Sequence, residues 1–308
     1  METNELKDNV VTYAAIDVGS NAVRLLIKQL EDGPQLRFSK VQLLRVPLRL
    51  GFDVFSNGGS ISDRKRKDLV RLMKSYRQLM KIYNVSDYRA CATSAMRDAA
   101  NGNDIIREVR KKTGIDIEII DGQQEAKMVY NNHIESMKER RGNFMYVDVG
   151  GGSTEINLLT DGELVCSRSY NIGTVRMLNG AVSEGEMTRF RSDLEDLAAS
   201  YPGISIIGSG GNINKLYKLV ERRDKRYSRM HVSSLQALHD KLKSMSVRQR
   251  MDEYALKPDR ADVIVPAGEI FLTIAAITGA AYIYVPVIGL ADGIIDGLYT
   301  KHLSEVGR

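Results

Sequence analysis

The strongest constraint on this chain is that part of its sequence occurs twice. Phe144-Met145-Tyr146-Val147-Asp148-Val149-Gly150-Gly151-Gly152-Ser153-Thr154-Glu155-Ile156-Asn157-Leu158-Leu159 echoes Ile16-Asp17-Val18-Gly19-Ser20-Asn21-Ala22-Val23-Arg24-Leu25-Leu26. Each copy is an apolar strand ending in Asp, then a glycine-bearing turn, then a second strand, which is the pattern of a β-hairpin. The copies lie a domain's length apart, so this is a duplication of whole domains and not a short-period repeat. Two similar domains facing each other would bring both turns to one cleft. The boundary is expected near Asp121 to Gln124, giving domains 1–122 and 123–308.

The rest of the pattern is α/β. Leu36 to Leu50 reads as a further strand pair, Val85 to Thr93 and Ile115 to Ile120 as strands, and Asp104 to Thr113 as a helix. A longer helix is predicted over Asp63 to Tyr83, where Leu69, Leu72, Met73, Tyr76, Leu79 and Met80 fall on one face. Its other face carries Arg64, Lys65, Arg66, Lys67, Arg71, Lys74, Arg77 and Lys81. That face is either a solvated surface or a track for a chain of phosphates. Another helix is expected from Gln123 to about Glu139. In the second half, helices are predicted at Ile213 to Val220, Glu184 to Ala199, Ser233 to Ser246 and Pro266 to Thr278, with strands at Ile204 to Ile207 and Ala281 to Ile288. A last helix, about 292–304, is expected to pack back on the first domain.

Charge and composition exclude several classes. The 308 residues carry 44 basic and 39 acidic side chains, a net +5 that permits a polyanionic partner without demanding one; nucleic acid is not expected. With only Cys91 and Cys166, the fold cannot depend on a disulfide framework, and a reducing cytoplasm suits it. The uncharged run Ile270 to Ala291 is long enough for a membrane span. Gly279 and Pro286 divide it, however, and a buried helix followed by a buried strand explains it better.

The candidate chemistry lies in loops. A phosphate needs close donors and little bulk, and glycine turns supply backbone N–H groups with no side chain in the way. Three such turns follow apolar strands: Gly19-Ser20-Asn21, Gly150-Gly151-Gly152-Ser153 and Gly208-Ser209-Gly210-Gly211, the third opening a helix whose N-terminus favours an anion. Asp17 and Asp148 end strands beside two of them. Each either bonds its own turn or orients a divalent cation; for Asp148 the cation is favoured, because Glu155 follows seven residues on. Arg97 is an ordinary surface arginine or a bidentate grip on phosphate. Glu125 is a first-turn helix residue or a general base at the cleft. His133, His231, His239 and His302 are scattered, and no cysteine nucleophile loop, Walker-type loop or zinc spacing occurs.

These motifs together resemble the exopolyphosphatase and guanosine pentaphosphate phosphohydrolase family. The resemblance is carried in order by Ile16 to Asn21 with Arg24-Leu25, by Ala92 to Ala99 with Asn101-Gly102, by Gly122 to Ala126, by Asp148 to Glu155, by Gly208 to Gly211, by Lys257 to Asp262 and by Gly289-Leu290. It implies two actin-like, Hsp70-like domains of the ribonuclease H-like type flanking a cleft. It implies Mg²⁺-dependent release of terminal phosphate from inorganic polyphosphate or guanosine pentaphosphate, in a cytoplasmic homodimer without membrane or nucleic-acid partners. Carried over by position, Glu125 and Glu155 are catalytic, Glu125 as general base, and Asp148 and Glu155 hold the cation or polarise water; Asp17 joins them from its place beside the first glycine turn. Ser20, Asn21, Arg97, Gly150, Gly151, Gly152, Ser153, Gly210 and Gly211 bind phosphate. Gln123 and Gln124 stand where the family often has acidic residues, and Ala291-Asp292 replaces a basic–acidic pair. Two other readings use the same loops: a kinase of the same fold, which needs adenine-nucleotide binding, and a catalytically weak binding protein for polyphosphate or alarmones.

Overall fold

A computed structural model describes residues 11–31, 37–56, 58–134, 141–286 and 289–306. The first half runs β1 (Thr12–Val18), β2 (Val23–Glu31), β3 (Arg37–Val46), α1 (Leu50–Val54), α2 (Asp63–Ile82), β4 (Asp87–Ala92), α3 (Ser94–Asp98), α4 (Gly102–Thr113) and β5 (Ile117–Ile119). Next come α5 (Gly122–Ile134), β6 (Asn143–Val149), β7 (Thr154–Thr160), β8 (Glu163–Tyr170), α6 (Thr174–Leu178), α7 (Glu184–Ser200), β9 (Ser205–Ser209) and α8 (Gly211–Leu219). The chain ends with β10 (Arg223–Asp224), β11 (Arg229–His231), α9 (Val232–Ser244), α10 (Val247–Tyr254), α11 (Pro258–Ala261), α12 (Ile264–Thr278), β12 (Tyr282–Tyr284) and α13 (Leu290–Val306).

The duplication is visible in the sheets. The first has the order β3-β2-β1-β4-β5, with β1 antiparallel to β2 and parallel to β4. The second contains the same arrangement as β8-β7-β6-β9-β12, with β6 antiparallel to β7 and parallel to β9, and then adds β11 and β10 at the far edge. The hairpin turns match atom for atom in their closing bond: Gly19 N donates to Ala22 O at 3.1 Å, and Gly150 N to Ser153 O at 2.9 Å. This repeated strand order is the two-fold actin-like α/β architecture expected from the sequence.

Each half buries its own core, because strands β1, β2, β6 and β7 are covered by helices and read as nearly continuous apolar runs. α2 turns Leu69, Val70, Met73, Tyr76 and Met80 inward, and the buried Tyr76 hydroxyl donates to Val23 O at 3.2 Å. The eight basic residues of its other face do not line the cleft; Lys65 is held by Asp53 at 2.6 Å, and Arg66 lies 3.4 Å from Glu108. The uncharged run divides at Gly279, which caps α12 with φ +67°. The stretch Pro258–Thr278 is long and apolar enough to cross a membrane, and 61% of its most apolar window is buried in the fold.

Two expectations are corrected. Leu36 to Leu50 is not a strand pair: β3 stops at Val46, before Pro47, which cannot donate to a ladder. The chain then turns through Arg49 at φ 53° into α1, which buries Leu50 and Val54. The helix expected to reach Glu139 is described to Ile134; residues 135–140, like 287–288 of the expected last strand, lie outside the described residues.

The halves are joined at both ends of the cleft. α13 lies on the back of the first sheet, where Leu290, Ile294, Ile295 and Leu298 pack with Tyr13, Ala15, Leu26 and Cys91. Across the cleft, Arg45 and Arg49 of the first half reach Asp259 and Asp262 beside α11, and Arg176 of α6 reaches Asp98 at 2.5 Å. Burial of Ile294 is complete. Ile294→Ala therefore leaves a cavity and is expected to cost about 2–5 kcal/mol, read as a fall in the urea midpoint with an unchanged slope.

Candidate active site

The cleft between the halves has a volume of about 550 Å³. Its floor is the pair of hairpin turns. They touch so closely that a Cβ on Gly151 would lie 2.9 Å from Ser20 Cβ and 3.1 Å from Asn21 N, and one on Gly152 would collide with Ser94 and Phe55. Only glycine fits there.

The carbonyls of the turns are tied down on the side away from the cleft. Ser20 O and Asn21 O accept from Gly51 N and Arg49 N around α1. Gly150 O and Gly151 O accept from Thr174 N and Val175 N of α6, and Gly152 O from Arg176 Nε at 2.8 Å. No residue of α1 or α6 lines the cleft. A trans peptide points its N–H opposite its C=O, so the amides of Asn21, Ala22, Gly151, Gly152 and Ser153 are turned the other way, as an anion cradle. The third turn adds Gly210, whose φ of +95° lets it pass beside Asp148: a Cβ there would sit 2.5 Å from Asp148 Oδ1. α8 begins directly after it.

Four carboxylates gather behind the turns. Asp148 and Glu155 face each other in the β6–β7 register, as Asp17 and Arg24 do in β1–β2. The duplication thus places a cation in one copy where the other has an anion. Arg24 Nη1 donates to Asp17 Oδ2 at 2.5 Å. Glu155 accepts from Ser169 Oγ at 2.9 Å. Glu125 lies in the first turn of α5, a helix started by a reciprocal cap in which Gln124 N donates to Asp121 Oδ1 and Asp121 N to Gln124 Oε1. That cap explains a glutamine at position 124. Glu125 is 7% exposed, and its Oε2 is buried with no hydrogen-bond partner among the described residues.

Burial raises the Glu125 carboxyl well above the ordinary glutamate range, with Glu155, Asp148 and Asp17 adding repulsion. Burial and Asp148 push Glu155 the same way. Asp148 rises to about 6, chiefly from burial, against the pull of Arg24.

Cations form the walls. Arg24, Lys40 and Arg45 come from β2 and β3, Lys215 and Lys218 from α8, and Lys257 and Arg260 from the start of α11. Arg260 Nη1 donates to Gly211 O at 2.5 Å, and its guanidinium falls to about 10 through burial and then the charges of Arg45 and Arg24. Lys215 is lowered too, by burial, Arg260 and Lys218. Such mutual repulsion is what a bound anion would relieve.

Of the residues singled out from sequence, Asp17, Ser20, Asn21, Glu125, Asp148, Gly150, Gly151, Ser153, Gly210 and Gly211 line this cleft. Gly152, Arg97 and Glu155 do not. Arg97 Nη1 donates to Ile120 O at 2.8 Å just past β5, and its charge favours ionised Glu125. Ser20 Oγ is engaged with Ser94 Oγ at 2.8 Å, and Asn21 Nδ2 donates to Asp259 O at 2.9 Å. The carboxylate trio Asp17, Asp148 and Glu155 does not form one ligand cage; among the described residues no three His, Cys, Asp or Glu side chains do. Asp17 is neutralised by Arg24, and Glu155 is held back by Ser169. The donor set still fits a hard divalent cation, which commonly takes one or two carboxylates and completes its shell with phosphate oxygens and water. The cleft cations were missed from sequence. The signal was present for Arg24, seven residues after Asp17 as Glu155 is after Asp148, and for Lys215 and Lys218 one turn apart behind the third glycine turn.

A two-domain α/β protein with a cleft floored by glycine turns and walled by cations is the class this fold and site define. The chain belongs to the Ppx/GppA phosphatase family, whose sequence profile matches residues 27–302. Over 94% of its length it is 26% identical to the guanosine-5'-triphosphate,3'-diphosphate pyrophosphatase of Aeromonas hydrophila, and over 63% it is 26% identical to exopolyphosphatase 1 of Mycobacterium tuberculosis. It spans 60% and 57% of those two proteins. The crystal structure of the Aquifex aeolicus Ppx/GppA family member superposes with a TM-score of 0.75 at 26% identity, covering 96% of this chain and 99% of that one.

The turn geometry carries a direct expectation. Gly151→Ala pushes the two turns apart at Ser20 Cβ and Asn21 N, so pyrophosphate binding measured by calorimetry is expected to weaken at least about tenfold, or about 1.4 kcal/mol, with a lowered melting temperature.

Proposed function

We propose that this chain hydrolyses phosphoanhydrides, releasing terminal orthophosphate from inorganic polyphosphate, with guanosine pentaphosphate as a second substrate. The observation that carries this reading is the unpartnered, buried Glu125 Oε2 at a cleft floored by two glycine turns and walled by cations. The relatives named for these activities support it. Cytoplasmic location, a homodimeric state and Mg²⁺ dependence belong to the same proposal.

The turn amides and the third turn at the head of α8 hold the terminal phosphoryl oxygens. Arg24, Lys215 and Arg260 offset charge that accumulates on them as the bond to the chain lengthens, which is where catalysis of phosphoryl transfer resides. Glu125 orients a water against phosphorus and takes its proton, and the shortened chain departs with the bridging oxygen. Asp148, with Glu155 behind it, is placed to hold Mg²⁺, which would neutralise the crowded carboxylates and the phosphate together.

Glu125→Gln keeps size and burial but removes the proton acceptor. Its turnover on polyphosphate is expected to fall by about a hundredfold to ten-thousandfold, with KM within about threefold of wild type. Near-normal turnover would end the role given to Glu125. Chelation of divalent cations is expected to abolish phosphate release, restored by added Mg²⁺, with unchanged far-ultraviolet circular dichroism.

A further inference from the structure

The second sheet carries two strands that the first lacks. β12 runs parallel to β9 and β6; Asp148 and Val149 at the end of β6 and Gly210 just after β9 line the cleft, so the three strands end on the same side. β11 is antiparallel to β12 and β10 to β11. The turn between β10 and β11, residues 225–228, therefore lies at the cleft end of the sheet. Val285 N donates to Ser228 O at 2.6 Å, and four residues later Gly289 lines the cleft.

This hairpin is fastened to the basic wall. Arg223 Nη1 donates to Tyr217 O at 3.1 Å and to Lys218 O at 2.5 Å, gripping the turn of α8 whose Lys218 lines the cleft. From Glu221 to Arg229 the sequence has five basic residues and two acidic ones. Asp224 is spent on Arg229 at 3.2 Å and on Tyr227 N. Arg222, Lys225 and Arg226 are exposed and have no ion pair among the described residues. A charged edge also discourages strand pairing between molecules. That purpose does not explain Lys225 and Arg226, which sit at the turn and not along the two-residue edge strand.

We infer that the β10–β11 hairpin is a distal phosphate subsite, continuing the Lys215–Lys218 wall outward to hold the trailing part of a long polyphosphate chain. The inference rests on the polyphosphate reading above. From β9 to β10 there are three strand spacings, roughly 14 Å, so a chain of several phosphates is needed to meet cleft and hairpin together. The hairpin is preorganised: the Arg229 guanidinium lies 4.3 Å from the Tyr282 ring centroid and also donates to Tyr284 Oη at 3.4 Å. The same contacts favour polyphosphate over single-stranded nucleic acid, which binds by stacking bases on open aromatic faces. Here Tyr227 and Tyr282, although exposed, are engaged by cations: Arg226 and Arg229 lie over the Tyr227 ring at 5.4 and 5.0 Å, and Arg229 lies over Tyr282.

The test compares wild type with the double variant Lys225→Gln/Arg226→Gln, both measured for equilibrium binding and for turnover on tripolyphosphate and on polyphosphate hundreds of units long. The variant is expected to bind the long chain about tenfold more weakly, to lose about 1–2 from its log–log salt slope, and to keep wild-type binding and turnover on tripolyphosphate. Equal weakening for both lengths, or for neither, overturns the subsite. Single-stranded RNA that binds wild type as tightly as long polyphosphate, and is lost by the same change, overturns it in favour of a nucleic-acid surface. Selective loss of long-chain binding in a protein that releases no phosphate would sustain the subsite and sink the hydrolase reading. Turnover without any length-selective loss would do the reverse.

Discussion

Contact between two glycine turns governs the whole arrangement. With Gly151 in van der Waals contact with Ser20 and Asn21, the ends of β1 and β6 are fixed relative to each other, and so are the sheets behind them. The carbonyls of both turns are consumed by α1 and α6, which leaves the amides to the cleft. Side chains that sequence suggests as phosphate ligands take part mainly in holding this contact. Ser20 bonds Ser94, and Asn21 bonds the backbone of α11. The cleft therefore presents backbone in its floor and charged side chains, among them Lys40, Lys215 and Lys257, in its walls.

Electrostatics set the second constraint. Burial raises Glu125, Asp148 and Glu155, with Asp148 adding repulsion to both glutamates and Glu155 to Glu125, and across the cleft Arg260 and Lys215 are lowered by burial and neighbouring positive charge. Each group thus crowds like charges together. A ligand that carries negative charge toward the cations and shares a divalent cation with the carboxylates relieves both at once. A phosphate chain with its counterion has that character; a neutral substrate would relieve neither group, and a cationic one only the carboxylates. Asp292 fits the same picture in a different way: its carboxylate accepts from Gly289 N at 3.1 Å and lies 2.6 Å from Lys28 Nζ, so the charge at that position is already balanced within the fold.

Much of this was legible in the sequence because it is written in local pattern. The duplicated strand–turn–strand, the face of α2 and the glycine turns are short-range signals, and the structure has them where the pattern puts them. What was not legible depends on contacts between distant segments. Arg97 follows a strand in a phosphate-protein motif, yet only the fold brings Ile120 O to its guanidinium. Lys40, Arg45 and Lys257 look like surface residues in their own segments and become cleft residues only when the halves close. The strand pair expected over Leu36 to Leu50 failed for a local reason: the apolar run continues past Pro47, and its second part is buried as a helix against the first core instead of as a strand.

Duplication supplies the frame, and departures from it supply the chemistry. A perfectly symmetric pair of hairpins would offer two equal phosphate cradles and no preferred direction for reaction. The register breaks that equality at one position, where Arg24 faces Asp17 and Glu155 faces Asp148. The first copy thereby becomes charge-neutral and suited to holding an anion, whereas the second keeps an uncompensated acidic pair next to Glu125, suited to a cation and an activated water. The far edge breaks it again, since only the second sheet carries β10 and β11 with their basic turn. Both asymmetries fall in the same half, so on the reading proposed above a phosphate chain lying across the cleft would have a defined reacting end and a defined trailing end.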